Sequence, residues 1–166
     1  MKKLLLLATL AILIIAACQP NAKVDVVDMK AANKAIDKLS DTYLLAWNTK
    51  DQASLIDLTS DEGIFFGSDP SEILDKKGLT EMFSMVFSDT TTDYSYIVNL
   101  REIKLAKDGK SGLVIEHINM NGWSPEMPMR QTFQFVKSGS DWKIEFISWG
   151  FLIQNEKVQK LNMILN

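Results

Sequence analysis

His117 is the only histidine of the chain, and imidazole is the one side chain whose ordinary pKa suits a general base near neutral pH. Alternation along its strand groups it with Leu113, Ile115 and Asn119, apolar then polar, as a cavity wall nearing its mouth would be. A lone strand histidine also serves as a hydrogen-bonded structural group. Gln131 and Ser148 form a second candidate pair, an amide and a hydroxyl that either bind a ligand or satisfy each other. Met120, Met127 and Met129 lie near His117 in sequence, and thioethers with an imidazole suit Cu(I). Eight methionines are more simply filler for an irregular core, so no metal is assigned. Trp123 is a lid or a loop anchor. Arg130 and Trp149 are cation–π partners or the mark of a dimer surface.

The element that positions most of these groups is the stretch Arg130 to Trp149. Phe133 and Phe135 alternate with polar residues before Ser138-Gly139-Ser140-Asp141, and Trp142, Ile144 and Phe146 alternate after it. That period of two on both sides of a turn sequence predicts a β-hairpin. Pairing Phe135 with Ile144 and Phe133 with Phe146 puts the apolar rows on one face and brings Gln131 opposite Ser148.

Upstream, Asp28 is placed to cap a helix running to about Lys50, with Ala32, Ala35/Ile36, Leu39, Tyr43 and Ala46/Trp47 as its apolar stripe. Asp51 caps a short second helix through Leu58. Gly63 to Gly67 reads as a strand, 68–71 as a loop, and Leu79 to Phe87 as a third helix with Leu79, Met82, Phe83 and Val86 inward. From Tyr94 the period becomes two: a strand to Leu105, a turn at Asp108-Gly109, a strand from Ser111 to Asn121, and a loop over Gly122 to Pro128. The tail from Asn155 to Asn166 has apolar residues at helical spacing. Helices followed by a strand meander predict an α+β fold in which a curved, mainly antiparallel sheet wraps the first helix.

A chain of 166 residues predicts one domain with a real core. The formal charge is −3, and −5 once residues 1–17 are removed, so nothing basic is available for a nucleic-acid backbone. One cysteine excludes an intrachain disulfide and a thiolate cluster, and the glycine-rich nucleotide motifs are missing. Lys2-Lys3 followed by the apolar run Leu4 to Ile15 predicts a signal peptide over 1–17. Ile15-Ala16-Ala17-Cys18 resembles the lipobox of bacterial lipoproteins. The resemblance implies acylation of Cys18, cleavage before it, a tether over 18–27 and anchoring in a lipid bilayer. Gln19, where some bacteria read an aspartate as a retention signal, favours the outer membrane facing the periplasm.

Tyr43-Leu44-Leu45-Ala46-Trp47-Asn48-Thr49-Lys50-Asp51 resembles the end of helix one in the nuclear transport factor two-like superfamily. Asp61-Glu62 before an apolar strand, Lys77-Gly78 before helix three and the closing strand from Trp142 to Ser148 extend the match, which is strongest with the SnoaL-like branch. The resemblance implies a cone-shaped barrel over residues 28–154, a cavity between helix one and the sheet, and a homodimer through the sheet's outer face. Ketosteroid isomerase, a member, uses a carboxylate base with a tyrosine and a protonated aspartic acid as oxyanion donors. Tyr43 matches that tyrosine, Gln131 falls where the acid would stand, and the base position falls near Gly67, with Asp69 two residues on. Asp69 is also an ordinary turn aspartate.

Three readings follow. The first is a membrane-anchored domain binding a small apolar ligand in a cavity of Tyr43, Trp47, His117, Gln131, Phe133, Phe146 and Ser148, without a cofactor. The second is an isomerase, cyclase or hydrolase of an apolar carbonyl compound, with Tyr43 and Gln131 as donors and Asp69 or His117 as base. The third is an envelope interaction module.

Overall fold

Asp28 starts the first helix by accepting hydrogen bonds from the Lys30 and Ala31 N–H groups at 2.9 and 3.1 Å. The structure is a computed structural model that describes residues 28–165; the signal sequence 1–17, Cys18 and the rest of the tether to residue 27 lie outside the described residues. Helix α1 spans Met29–Asn48 and buries Ala32, Ile36, Tyr43, Ala46 and Trp47 of the expected stripe, with Ser40 buried as well and Leu39 only half-buried. It ends in a Schellman-type cap, in which Asp51 N–H reaches the Ala46 carbonyl at 2.7 Å and Lys50 takes the left-handed conformation with φ 57°.

Asp51 caps helix α2 (Gln52–Leu58), as expected. Strand β1 (Thr59–Phe66) begins four residues earlier than its apolar core suggests, and a two-residue strand β2 (Ile73–Leu74) folds back against it. Helix α3 (Lys76–Ser88) starts from an Asp75 cap and buries Leu79 and Phe83. Strands β3 (Tyr96–Leu105), β4 (Ser111–Met120), β5 (Ser124–Ser138) and β6 (Asp141–Phe151) form the meander, and helix α4 (Asn155–Leu165) follows with none of its residues buried. The predicted loop over Gly122 to Pro128 is a tight turn instead, since β5 already starts at Ser124.

The sheet is open, in the order β2-β1-β6-β5-β4-β3, and mixed because β1 runs parallel to β6. Helix α1 lies against β3 and β4. Gly112 permits that approach: a Cβ there would stand 2.4 Å from Ile36 Cδ1. No helix among the described residues is long and apolar enough to cross a membrane.

Two bulges decide which side chains face α1. In the last hairpin Phe135 pairs with Ile144 as expected, but the register then shifts, so Gln134 faces Phe146, Phe133 faces Ile147 and Gln131 faces Trp149. Glu145 is the extra residue. A one-residue insertion reverses inward and outward beyond it, which turns Phe146 and Ser148 out and Ile147 and Trp149 in. In β3 the pairing passes from Val98–Ile118 to Leu100–His117, leaving Asn99 unpaired. Leu100 is thereby exposed and Arg101 brought inward.

Candidate functional site: an aromatic and methionine cleft backed by a buried polar chain

Alternation along β4 places Gly112, Val114, Glu116, Ile118 and Met120 on the buried face, so a carboxylate stands in an otherwise apolar row. Glu116 accepts from Arg101 Nε at 2.6 Å and from Gln131 Nε2 at 2.9 Å. The other Arg101 contacts run to α1, with Nη1 2.9 Å from Asp37 Oδ1 and 2.6 Å from Asp41 Oδ1. Gln131 also donates to the Tyr96 hydroxyl at 3.2 Å, and its carbonyl oxygen accepts the Trp149 indole N–H at 2.6 Å. The chain of donors has one direction. With Trp149 only able to donate, Gln131 must point its oxygen there and its amine at Glu116.

Burial raises the Glu116 pKa, and the Arg101 and Gln131 contacts only partly offset it. For Arg101 burial works against the charge, but the bonds to Asp41, Asp37 and Glu116 prevail and its pKa is raised. Tyr43 is 0% exposed and sits edge-on to Phe133 at 4.8 Å. Its hydroxyl has no hydrogen-bond partner among the described residues. Burial foremost, then the nearby Tyr96 and Glu116, raises its pKa well above the usual phenol value.

In front of this layer opens a cleft of about 220 Å³. Trp47 of α1, Met82, Met85 and Val86 of α3, and Met120, Met129 and Trp149 of the sheet form its walls; Gly67, Ser68, Glu72, Tyr94 and Trp123 complete it. Trp47 and Trp149 lie 6.5 Å apart, centroid to centroid. Trp123, 47% exposed, packs on Phe151 at 5.3 Å beside the opening. The Trp47 indole N–H is held by the Tyr94 carbonyl at 2.7 Å, and the Asn48 side chain clamps Tyr96 N–H and C=O at 2.9 and 3.0 Å. Together these bonds fasten the end of α1 to the start of β3.

The candidates from the sequence are therefore dispersed. Trp47 lines the cleft, whereas Tyr43, Gln131 and Phe133 are buried in the packed layer and do not line it. His117 is on the opposite face of the sheet, between Leu100 and Arg130 in the pairing. Ser148 is likewise outside, opposite Thr132, and Phe146 packs there on Phe66 at 5.7 Å. Asp69 is an exposed turn residue whose carboxylate accepts from the Ser71 hydroxyl and N–H at 2.5 and 2.8 Å. The hydroxyl bond first, then the N–H, holds its pKa below the usual carboxylate range. The Arg130–Trp149 pairing does not form, since Arg130 is exposed and Trp149 buried on the other face. Met120 and Met129 line the cleft while His117 and Met127 do not, so the thioethers and the imidazole are not brought together. Among the described residues no group of three histidine, cysteine, aspartate or glutamate side chains could hold a metal ion.

Sequence reasoning missed Glu72, Glu116 and Arg101. The lone charge in the apolar row of β4 is a signal for Glu116; Arg101 is inward only through the β3 bulge.

The sequence profile of the SnoaL-like domain matches residues 36–153. The chain belongs to the SnoaL-like domain family. Solved structures agree on the fold of this SnoaL-like domain. An NTF2-like protein of unknown function from Pseudomonas putida is 17% identical, with a TM-score of 0.62 over 77% of this chain and 92% of that one. A domain of unknown function with a cystatin-like fold from Nostoc punctiforme is 15% identical, with a TM-score of 0.64 over 80% and 85%. An NTF2-like protein from Cytophaga hutchinsonii is 17% identical, with a TM-score of 0.59 over 72% and 97%. A search of curated proteins finds no match.

Proposed function

We propose that this SnoaL-like domain binds a small, mainly apolar ligand in the cleft between α1, α3 and the sheet, and that it binds rather than transforms it. One observation carries the reading. The cleft is walled by tryptophan, methionine and valine, whereas Tyr43 and Gln131, the donors an oxyanion mechanism needs, lie outside its lining. A concave apolar site with few polar groups is the usual form of a small-molecule site, and a catalytic donor must reach the reacting atom. Acylation of Cys18 would hold the domain at the bilayer of a bacterial envelope, the outer membrane being favoured, and exposed Ile97 and Leu113 on the outer sheet face suit a homodimer contact.

Ligand-observed NMR with a panel of small apolar fragments tests the binding. Saturable signals are expected with the wild-type domain and their loss with Val86→Trp, which fills the cleft from α3; no saturable binding to the folded wild type contradicts the reading. The anchor is tested separately. Labelled palmitate should enter the wild-type protein and not Cys18→Ala, and equal fractionation of the two would contradict it.

A further inference from the structure

The polar inventory of the cleft is one-sided. Among the described residues its only charged side chain is Glu72, and four aromatic rings (Trp47, Tyr94, Trp123 and Trp149) and four methionine thioethers share the lining with it. The donors are mostly committed elsewhere. Trp47 N–H is held by the Tyr94 carbonyl, Trp149 N–H by Gln131, and the Tyr94 hydroxyl by Asp89 Oδ2 at 3.2 Å. What remains in the lining is mainly electron-rich, aromatic rings, thioether sulfurs and the Glu72 carboxylate, with the Ser68 hydroxyl and the Trp123 N–H as the other donors.

The position of Glu72 depends on its neighbour. A Cβ on residue 67 would lie 1.8 Å from Glu72 Oε2 and 2.6 Å from Glu72 Cβ, so the Glu72 side chain occupies the volume that any larger residue at 67 would claim. The backbone fixes it there: Gly67 N–H donates to the Glu72 carbonyl at 2.9 Å and Asp69 N–H to Oε2 at 3.1 Å. Aromatic rings that share a cleft with one fixed carboxylate are the combination that recognises an organic cation. Anions and neutral carbonyl compounds find few donors there.

We infer that the ligand of this cleft carries an alkylated or protonated amine, its cationic head beside Glu72 and among the aromatic rings, its apolar part on the methionines. This rests on the ligand-binding reading above and names the chemistry that site takes. The probes are choline and its neutral isostere 3,3-dimethylbutan-1-ol, which differ by one nitrogen for carbon, titrated into the intact domain and followed by NMR. Choline is expected to bind about tenfold or more tightly than the isostere. Glu72→Gln, which keeps an oxygen for the Asp69 N–H, should weaken choline about tenfold and leave the isostere unchanged. Equal affinity for the two probes, or a Glu72→Gln variant that binds choline as the wild type does, overturns the inference while the ligand-binding reading stands. Failure of choline to bind a domain that does bind neutral apolar fragments also overturns it; failure of every probe overturns both.

Discussion

Trp149 and Gln131 face each other across β5 and β6, joined by a 2.6 Å bond from the indole N–H to the carboxamide oxygen. The bond lets one side chain serve two layers. Trp149 is a wall of the cleft, and its polar edge is tied into the buried chain that runs through Gln131 and Glu116 to Arg101.

Gln131→Leu should therefore cost more than its volume change implies. The Trp149 N–H and one oxygen of Glu116 lose their partner inside the protein, each unsatisfied group costing about 1–3 kcal/mol. A loss of about 2–4 kcal/mol in urea unfolding is expected, together with altered fluorescence of Trp149. A loss below about 0.5 kcal/mol would mean the two groups find other partners.

Tyr43→Phe should do the opposite. The hydroxyl removed has no partner among the described residues and is fully buried, so deleting it relieves a desolvation penalty of about 1 kcal/mol or more. Thermal unfolding should show the variant at least as stable as the wild type. A clear fall in Tm would show that the hydroxyl is bonded in solution.

Glu116 gives a pH signature. Its folded pKa is raised above the unfolded value, so the native state holds the proton more tightly and stability falls as pH rises from about 4.3 through the folded value. Glu116→Gln lacks that titration. It also sets an amide N–H against the donors of Arg101 or Gln131, which costs about 1–3 kcal/mol. The wild type's advantage over the variant should be greatest at the acid end and shrink as pH rises, read from urea melts between pH 4 and 7. An advantage that grows with pH would mean that Arg101 outweighs burial.

Gly112→Ala tests the seating of α1 on the sheet. The added methyl meets Ile36 Cδ1 at 2.4 Å, an overpacking that costs about 1–3 kcal/mol. Ile36→Val removes that atom. The double variant should recover part of the loss in a double-mutant cycle, and strict additivity would contradict the contact.

How far the sequence reveals this molecule depends on whether a feature has a local cause. Asp28 and Asp51 announce their helices because a capping carboxylate ahead of an apolar stripe acts within one turn, and the Phe135–Ile144 pair follows from alternation around a turn. Ser148 and Phe146 were expected inside and lie outside because the Glu145 bulge reverses the faces after it, and an inserted residue leaves no mark in the composition. Asn99 does the same for Leu100 and Arg101. His117 shares its alternating set with Leu113 and Ile115, and alternation cannot tell which of two semi-apolar faces meets the helix. Glu72 reaches the cleft only through a two-residue strand that pairs β1, too short to carry a pattern.

The ligand cleft itself is tested most directly by the indole N–H resonances of the four tryptophans during titration with a bound fragment. Trp47, Trp123 and Trp149 line the cleft, whereas Trp142 does not and lies at the opposite end of β6 from Trp149. Saturable shifts at the first three with Trp142 unmoved are the predicted result; shifts confined to Trp142, or equal at all four, would contradict it.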